Sequence, residues 1–149
     1  MAVHVAQADL PYDPQQVFDL VADIENYPKF LRHVVSARIS RRSGNTLWVD
    51  QIVRFKMLRL KFSTKAEMEL PSRIHVVCSE SPLGSFDDQW SFTAGPSGGT
   101  RLLCRTEFHF KSPVVRVAMD ATLGEVLKTT VQAFQSRATQ LYGTSISGQ

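Results

Sequence analysis

Apolar and polar residues alternate with a period of two along most of the chain from His33 to Lys111, and after Pro113 the period becomes helical. Half-buried strands show that alternation because successive side chains point to opposite faces of a sheet. Short turns between such strands force antiparallel neighbours. One long amphipathic helix at the end of the chain must then bury its stripe on the sheet's apolar face.

The strands follow from the pattern. Val35, Ala37 and Ile39, with Arg41 at the end, share one face opposite Ser36, Arg38, Ser40 and Arg42. Gly44-Asn45 marks a hairpin. Leu47, Val49, Val53 and Phe55 come next, and a turn is expected near Met57-Leu58-Arg59. The cleanest alternation sets Leu60, Phe62, Ala66, Met68 and Leu70 against Lys61, Ser63, Lys65, Glu67 and Glu69. Pro71-Ser72 turns into Ile74, Val76 and Cys78. Phe86, Trp90 and Phe92 follow, then a glycine-rich turn at Gly95–Gly99. Leu102, Cys104, Phe108 and Phe110 close the series, with Arg101, Arg105 and His109 facing away. The first ten residues add a seventh strand. Asp13 as N-cap, Pro14 at the first helical position and Gln16 as the capping-box partner start a helix through Val17, Phe18, Leu20 and Val21. Asp23 to Leu31, broken by Pro28, suits a short second helix or an ordered loop. The last helix runs to about Tyr142 with Gly143 as its stop, and Val117, Leu127, Val131, Phe134, Ala138 and Leu141 form its stripe. The expected fold is α+β, a curved seven-stranded antiparallel sheet wrapped around a long C-terminal helix. It occupies residues 1–143 as one domain, with 144–149 as a flexible tail.

A chain of 149 residues buries about 68–70% of its unfolded surface, so it can spare interior volume for a ligand. No stretch approaches the ~20 apolar residues of a membrane span, and the first residues lack the pattern of a signal or transit peptide. A cytoplasmic location is expected, with peripheral contact at the inner membrane as a further placement. Cys78 and Cys104 fit neither a metal pattern nor a disulfide framework. Lys29 to Arg42 and Arg54 to Lys65 each carry five basic residues and no acid, which favours anionic partners or a solvated face. Arg38, Arg42, Lys61, Lys65, Arg101 and Arg105 are the candidate basic outer face. Trp48, with Met57, Leu58, Arg54, Lys56, Arg59 and Lys61, is the candidate membrane-contact edge.

Catalytic patterns are missing. The four histidines are scattered, there is no HExxH, CxxC, phosphate loop or nucleophile elbow, and Asp87 and Asp88 must point to opposite faces. No catalytic residue, metal or cofactor is expected. Small residues in the first half of the last helix (Ala118, Ala121, Gly124, with Asp120 nearby) leave either close packing or a void. Such a void would be lined by Phe55, Phe62, Trp90, Phe92 and Phe108, an apolar pocket of the usual ligand-site kind. Gln51, Thr64, Glu80, Asp88 and Thr106 break the inward pattern. They either pair with one another or hold water and a polar ligand head, with Glu80 and Asp88 expected at strand ends.

The segment Val17 to Leu31 (VFDLVADIENYPKFL) resembles the opening of the coenzyme Q-binding and RatA-like proteins of the START superfamily. Phe86 to Phe92, Phe108 to Ser112, and Val131 to Phe134 with Arg137, Ala138 and Tyr142 resemble later motifs of the same family, in order. The resemblance implies a helix-grip (START/Bet v-like) fold with a hydrophobic tunnel, and motif position adds Tyr27 and Phe30 to its wall. It implies a non-enzymatic protein that binds ubiquinone or a related isoprenoid lipid in support of respiratory quinone function. The alternative it implies is a ribosome-association toxin that binds the large subunit through the basic face, with no DNA partner. The tryptophan strand is shared with polyketide cyclases, so an aromatase/cyclase is a third reading. Arg32 and the loop Ser81 to Ser85 depart from the family pattern at the tunnel mouth.

Overall fold

A computed structural model describes residues 2–55, 57–79 and 81–143. The expected tail 144–149 and the expected inward placement of Glu80 lie outside the described residues. The order is β1 (Ala2–Leu10), α1 (Pro14–Ala22), a short 3-10 helix (Ile24–Lys29), β2 (Val34–Ser43), β3 (Thr46–Phe55), β4 (Leu58–Glu69), β5 (Arg73–Cys78), β6 (Gly84–Ala94), β7 (Thr100–Phe110) and α2 (Pro113–Tyr142). All strands form one curved antiparallel sheet in the order β1-β7-β6-β5-β4-β3-β2, and the fold is the START-like helix grip.

Local chemistry explains the element starts. Asp13 accepts from the Gln16 amide at 2.9 Å while the Gln16 side chain accepts from the Asp13 amide at 3.2 Å, a complete capping box. Asp13→Ala is expected to cost about 1 kcal/mol, readable as a lower urea midpoint with an unchanged m-value. Ser112 caps α2 by accepting from the Val115 amide at 3.2 Å. β3 turns into β4 over two residues, with Phe55 opposite Leu58, so Leu58 and Arg59 belong to the strand rather than the turn. Cys78 and Cys104 are buried on β5 and β7. The intervening β6 keeps them beyond a disulfide's reach.

Two parts of the sequence pattern are corrected. β2 shifts register against β3 between Ile39 and Arg41. That bulge puts one extra residue into β2. Arg41 therefore pairs with Trp48 on the outer face and Arg42 falls opposite inward-facing Leu47, the reverse of a strict alternation. The α2 stripe holds through Leu127, Val131, Phe134 and Ala138 but departs from expectation at its two ends. Val117 is 87% exposed, Leu141 is 49% exposed and Ala121 is exposed, whereas Met119, Thr130, Val131, Phe134 and Ala138 are buried. The early turns of α2 carry apolar residues at Val114, Val115, Val117 and Met119, so several phases fit the pattern and packing selects one.

The β2 edge of the sheet is covered in part by the 3-10 helix, from which the Glu25 carboxylate accepts the Ile39 amide at 3.0 Å. At the other edge α2 crosses β1, where the inward Ala6 and Ala8 pack against the core.

Candidate functional site

Between the middle of α2 and the middle strands the side chains do not close the gap. They leave a cavity of about 190 Å³, more than ten times the ~10–15 Å³ that a single water requires. Its floor is built by the inward faces of β3 to β7 and its roof by Leu123, Val126, Leu127 and Thr130 of α2. The loop Ser81-Pro82-Leu83 closes one side. Ser81 holds that loop by accepting from the Leu83 and Gly84 amides, each at 3.2 Å, and by donating to the Gly84 carbonyl at 2.6 Å. Gly84 is required there. Its φ is +135°, and a Cβ would stand 2.1 Å from the His109 carbonyl oxygen.

Two aromatic clusters bound the space. Phe86 stacks on Phe108 at 5.5 Å and meets Phe62 edge-on at 5.7 Å. At the other end Phe134 meets Trp90 at 5.5 Å and Tyr27 at 5.6 Å. The Tyr27 hydroxyl is already committed, donating to the Val21 carbonyl, and burial pushes its titration upward. His33 stacks on Phe55 at 6.3 Å, and burial holds its imidazole below its ordinary value.

Asp88 lies between the two clusters. Its neighbours on the same face of β6 are Phe86 and Trp90. Across the sheet it stands opposite Thr106, which stands opposite His4 on β1. Desolvation by burial raises the Asp88 carboxyl to about 6, against the pull of the Thr106 hydroxyl and of His75, and with a push from Asp87. Among the described residues its Oδ1 is the buried side-chain polar atom left without a hydrogen-bond partner. Mid-strand in β6, Asp88 is not the strand-end residue the pattern suggested. His4 ends the row, its Nε2 paired with Asp120 Oδ1 at 2.7 Å. The Asp88 and His4 backbones are two strand spacings apart, about 10 Å.

Of the residues expected to line a void, Tyr27, Gln51, Phe55, Phe62, Thr64, Trp90, Thr106 and Phe108 face this cavity. Four do not. Phe92 packs on Phe18 of α1 at 5.3 Å. Phe30 sits behind the wall against Phe134 at 5.4 Å, with Arg137 over its ring. Ala121 is exposed. Gly124 faces β1, where an added Cβ would stand 3.0 Å from the His4 ring, so this glycine makes room for a histidine rather than for a ligand. Sequence reasoning missed His4 and His33. The polar pair His4 and Asp120, 116 residues apart, leaves no local signal.

The outer face also differs from expectation. Arg101 is bound to Asp9 at 2.9 Å and Arg105 to Glu107 at 2.9 Å, so these two cations are neutralised. Arg41 lies 4.6 Å over the Trp48 ring and Lys65 6.0 Å from it. Trp48 lies seven residues, about 23 Å, from the Phe55 end of β3 next to Met57, so the two do not form one edge. Met57 is 96% exposed. No described helix is long and apolar enough to cross a membrane.

A helix-grip domain of START type, hollow between sheet and helix and lined by aromatic side chains, is the class these features define. The chain belongs to the family described as polyketide cyclase/dehydrase and lipid transport, whose sequence profile matches residues 10–135. It is similar to a ribosome association toxin of Pseudomonas aeruginosa, 26% identical across 96% of this chain and 100% of that protein. It is also similar to the mitochondrial coenzyme Q-binding protein of Dictyostelium discoideum, 24% identical across 93% of this chain and 70% of that one. The solution structure of an 18 kDa protein of Caulobacter crescentus is 31% identical, covers 97% of this chain and 100% of its own, and superposes with a TM-score of 0.78.

Proposed function

We propose that the protein binds a long apolar ligand of the quinone or polyprenyl class in the cavity beneath α2, without making or breaking a bond. The observation that carries this reading is the cavity itself: a partly open seam with aromatic walls and, among the described residues, one unsatisfied polar atom. Burying an isoprenoid chain there gains roughly 25 cal/mol per Å² of apolar surface. The coenzyme Q-binding relative supports the ligand class. Leu127→Trp from the roof and Val76→Phe from the floor, opposite Asp88, both fill the space and leave the Asp88 carboxyl in the chain. Both variants are expected to fold and to lose the lipid that co-purifies with the wild type, read by native mass spectrometry and organic extraction. Retention of the same lipid by both would defeat the cavity reading.

A second reading, association with the large ribosomal subunit, is favoured by the ribosome association toxin among the relatives and by the outer face of β2 to β4. There Arg41 and Lys65 lie over Trp48, with Arg38 and Lys61 further along the same face, an aromatic–cation surface suited to nucleic-acid phosphate and base. Arg38→Glu with Arg41→Glu is expected to abolish co-sedimentation with subunits at low salt, whereas Arg101→Glu, whose cation is paired with Asp9, has a smaller effect. Equal losses would place the contact elsewhere.

A further inference from the structure

We propose that the cavity recognises its ligand through a hydroxyl donated to Asp88, so that it selects aromatic alcohols, phenols and hydroquinones, over the corresponding ethers and quinones. This rests on the cavity reading above and names the head group that the cavity takes.

The argument starts from an unmet hydrogen bond. A buried carboxylate oxygen without a donor is costly, and native proteins leave few such atoms. Oδ1 of Asp88 is one, and Asp88 itself lines the cavity. The Thr106 hydroxyl opposite acts on the Asp88 carboxyl but leaves Oδ1 unpaired, and the other donors nearby are already used. Tyr27 donates to the Val21 carbonyl, His4 is paired with Asp120, and the Ser81 hydroxyl donates to the Gly84 carbonyl. The protein surrounds the acceptor with rings instead: Phe86 and Trp90 flank it along β6, and Phe108 stacks on Phe86. An incoming group that satisfies this acceptor must carry an O–H and must itself be comfortable between aromatic faces. A phenolic ring meets both demands, whereas a free sugar or phosphate head would be stripped of water among phenylalanines. At neutral pH a carboxyl that titrates at about 6 is mostly an acceptor with no proton to give. It therefore accepts from a hydroxyl and offers nothing to a carbonyl or ether oxygen. Thr106 opposite it, Tyr27 from the 3-10 helix, Cys104 on β7, and Asp87 and His75 on the outer side are the polar and titratable groups that set this balance. For a redox-active ring the consequence is a preference for the reduced, hydroxyl-bearing form.

The test compares para-octylphenol with para-octylanisole, two probes that differ in the donor, by fluorescence or calorimetric titration of delipidated full-length protein at pH 7.5. The wild type is expected to bind the phenol about tenfold or more tightly than the ether. Asp88→Leu should bring the two affinities together, and Asp88→Asn, which keeps a neutral acceptor, should retain a smaller preference. Equal binding of both probes by the wild type overturns the hydroxyl selection and leaves the apolar cavity standing. Binding of neither probe by the wild type overturns the cavity reading and this inference with it. A preference that survives in Asp88→Leu assigns the donor contact to another residue and overturns the role of Asp88.

Discussion

Truncation of Phe134 to alanine is expected to lower the free energy of unfolding by about 3–5 kcal/mol. Phe134 is fully buried and sits where α2, the 3-10 helix and β6 converge. Its ring meets Tyr27, Phe30 and Trp90 at 5.6, 5.4 and 5.5 Å, each at a steep edge-to-face angle. Each such pair contributes about 0.5–1.5 kcal/mol beyond area burial, and loss of the ring also opens a void that joins the cavity. Against a total stability of about 5–15 kcal/mol for a native domain, the variant is left marginal. Urea denaturation followed by tryptophan fluorescence measures it, with Phe134→Leu as a milder companion. A loss under about 2 kcal/mol would show that this cluster is not the joint that holds α2 to the sheet.

Asp88 should give an effect of opposite sign. Its carboxyl titrates at 3.8 in the unfolded chain and at about 6 when folded. The folded state therefore holds its proton more tightly, and stability attributable to this group is greatest in acid. It falls as pH rises from about 4 to 6 and stays low above that. A shift of this size corresponds to roughly 3 kcal/mol. Asp88→Asn removes the titration while keeping the shape, so it should raise the stability of the ligand-free protein at pH 7.5 by about 1–3 kcal/mol. At pH 4.5 the gain should shrink, because the wild-type carboxyl is then mostly protonated. Chemical denaturation of both proteins at the two pH values isolates the term. A gain that did not depend on pH would mean that ionisation of Asp88 is not what burdens the empty fold. Sites that serve a ligand often carry such a cost.

The strands, their antiparallel order and the terminal helix were legible because the pattern of β4 from Leu60 to Met68 and the Asp13–Gln16 capping box depend on local spacing alone. The phase of the helix's early turns was not, since Val114, Val115, Val117 and Met119 offer apolar residues in several directions and only contact with the sheet chooses Met119. Gly124 shows the same limit at the site. A small residue on a buried helix face means either a void or a close neighbour, and the neighbour here is His4, from the far end of the chain. Phe92 alternates in phase with Trp90 and yet belongs to the α1 interface, because a strand eleven residues long runs past the end of the cavity. The exchange of Arg41 and Arg42 needs a bulge, which adds one residue without any signature in composition.

An open sheet has two margins, and bare margins recruit other strands. Along β2 the backbone ladder is interrupted at two places, between Val34 and Ser36 and between Ile39 and Arg41. The Glu25 carboxylate occupies the Ile39 amide. Arginines at positions 38, 41 and 42 add like-charge repulsion against any second copy laid alongside. Together these make the strand a poor template for fibril growth, so the molecule can leave its sheet unclosed, as a hollow grip requires, without inviting self-propagating aggregation.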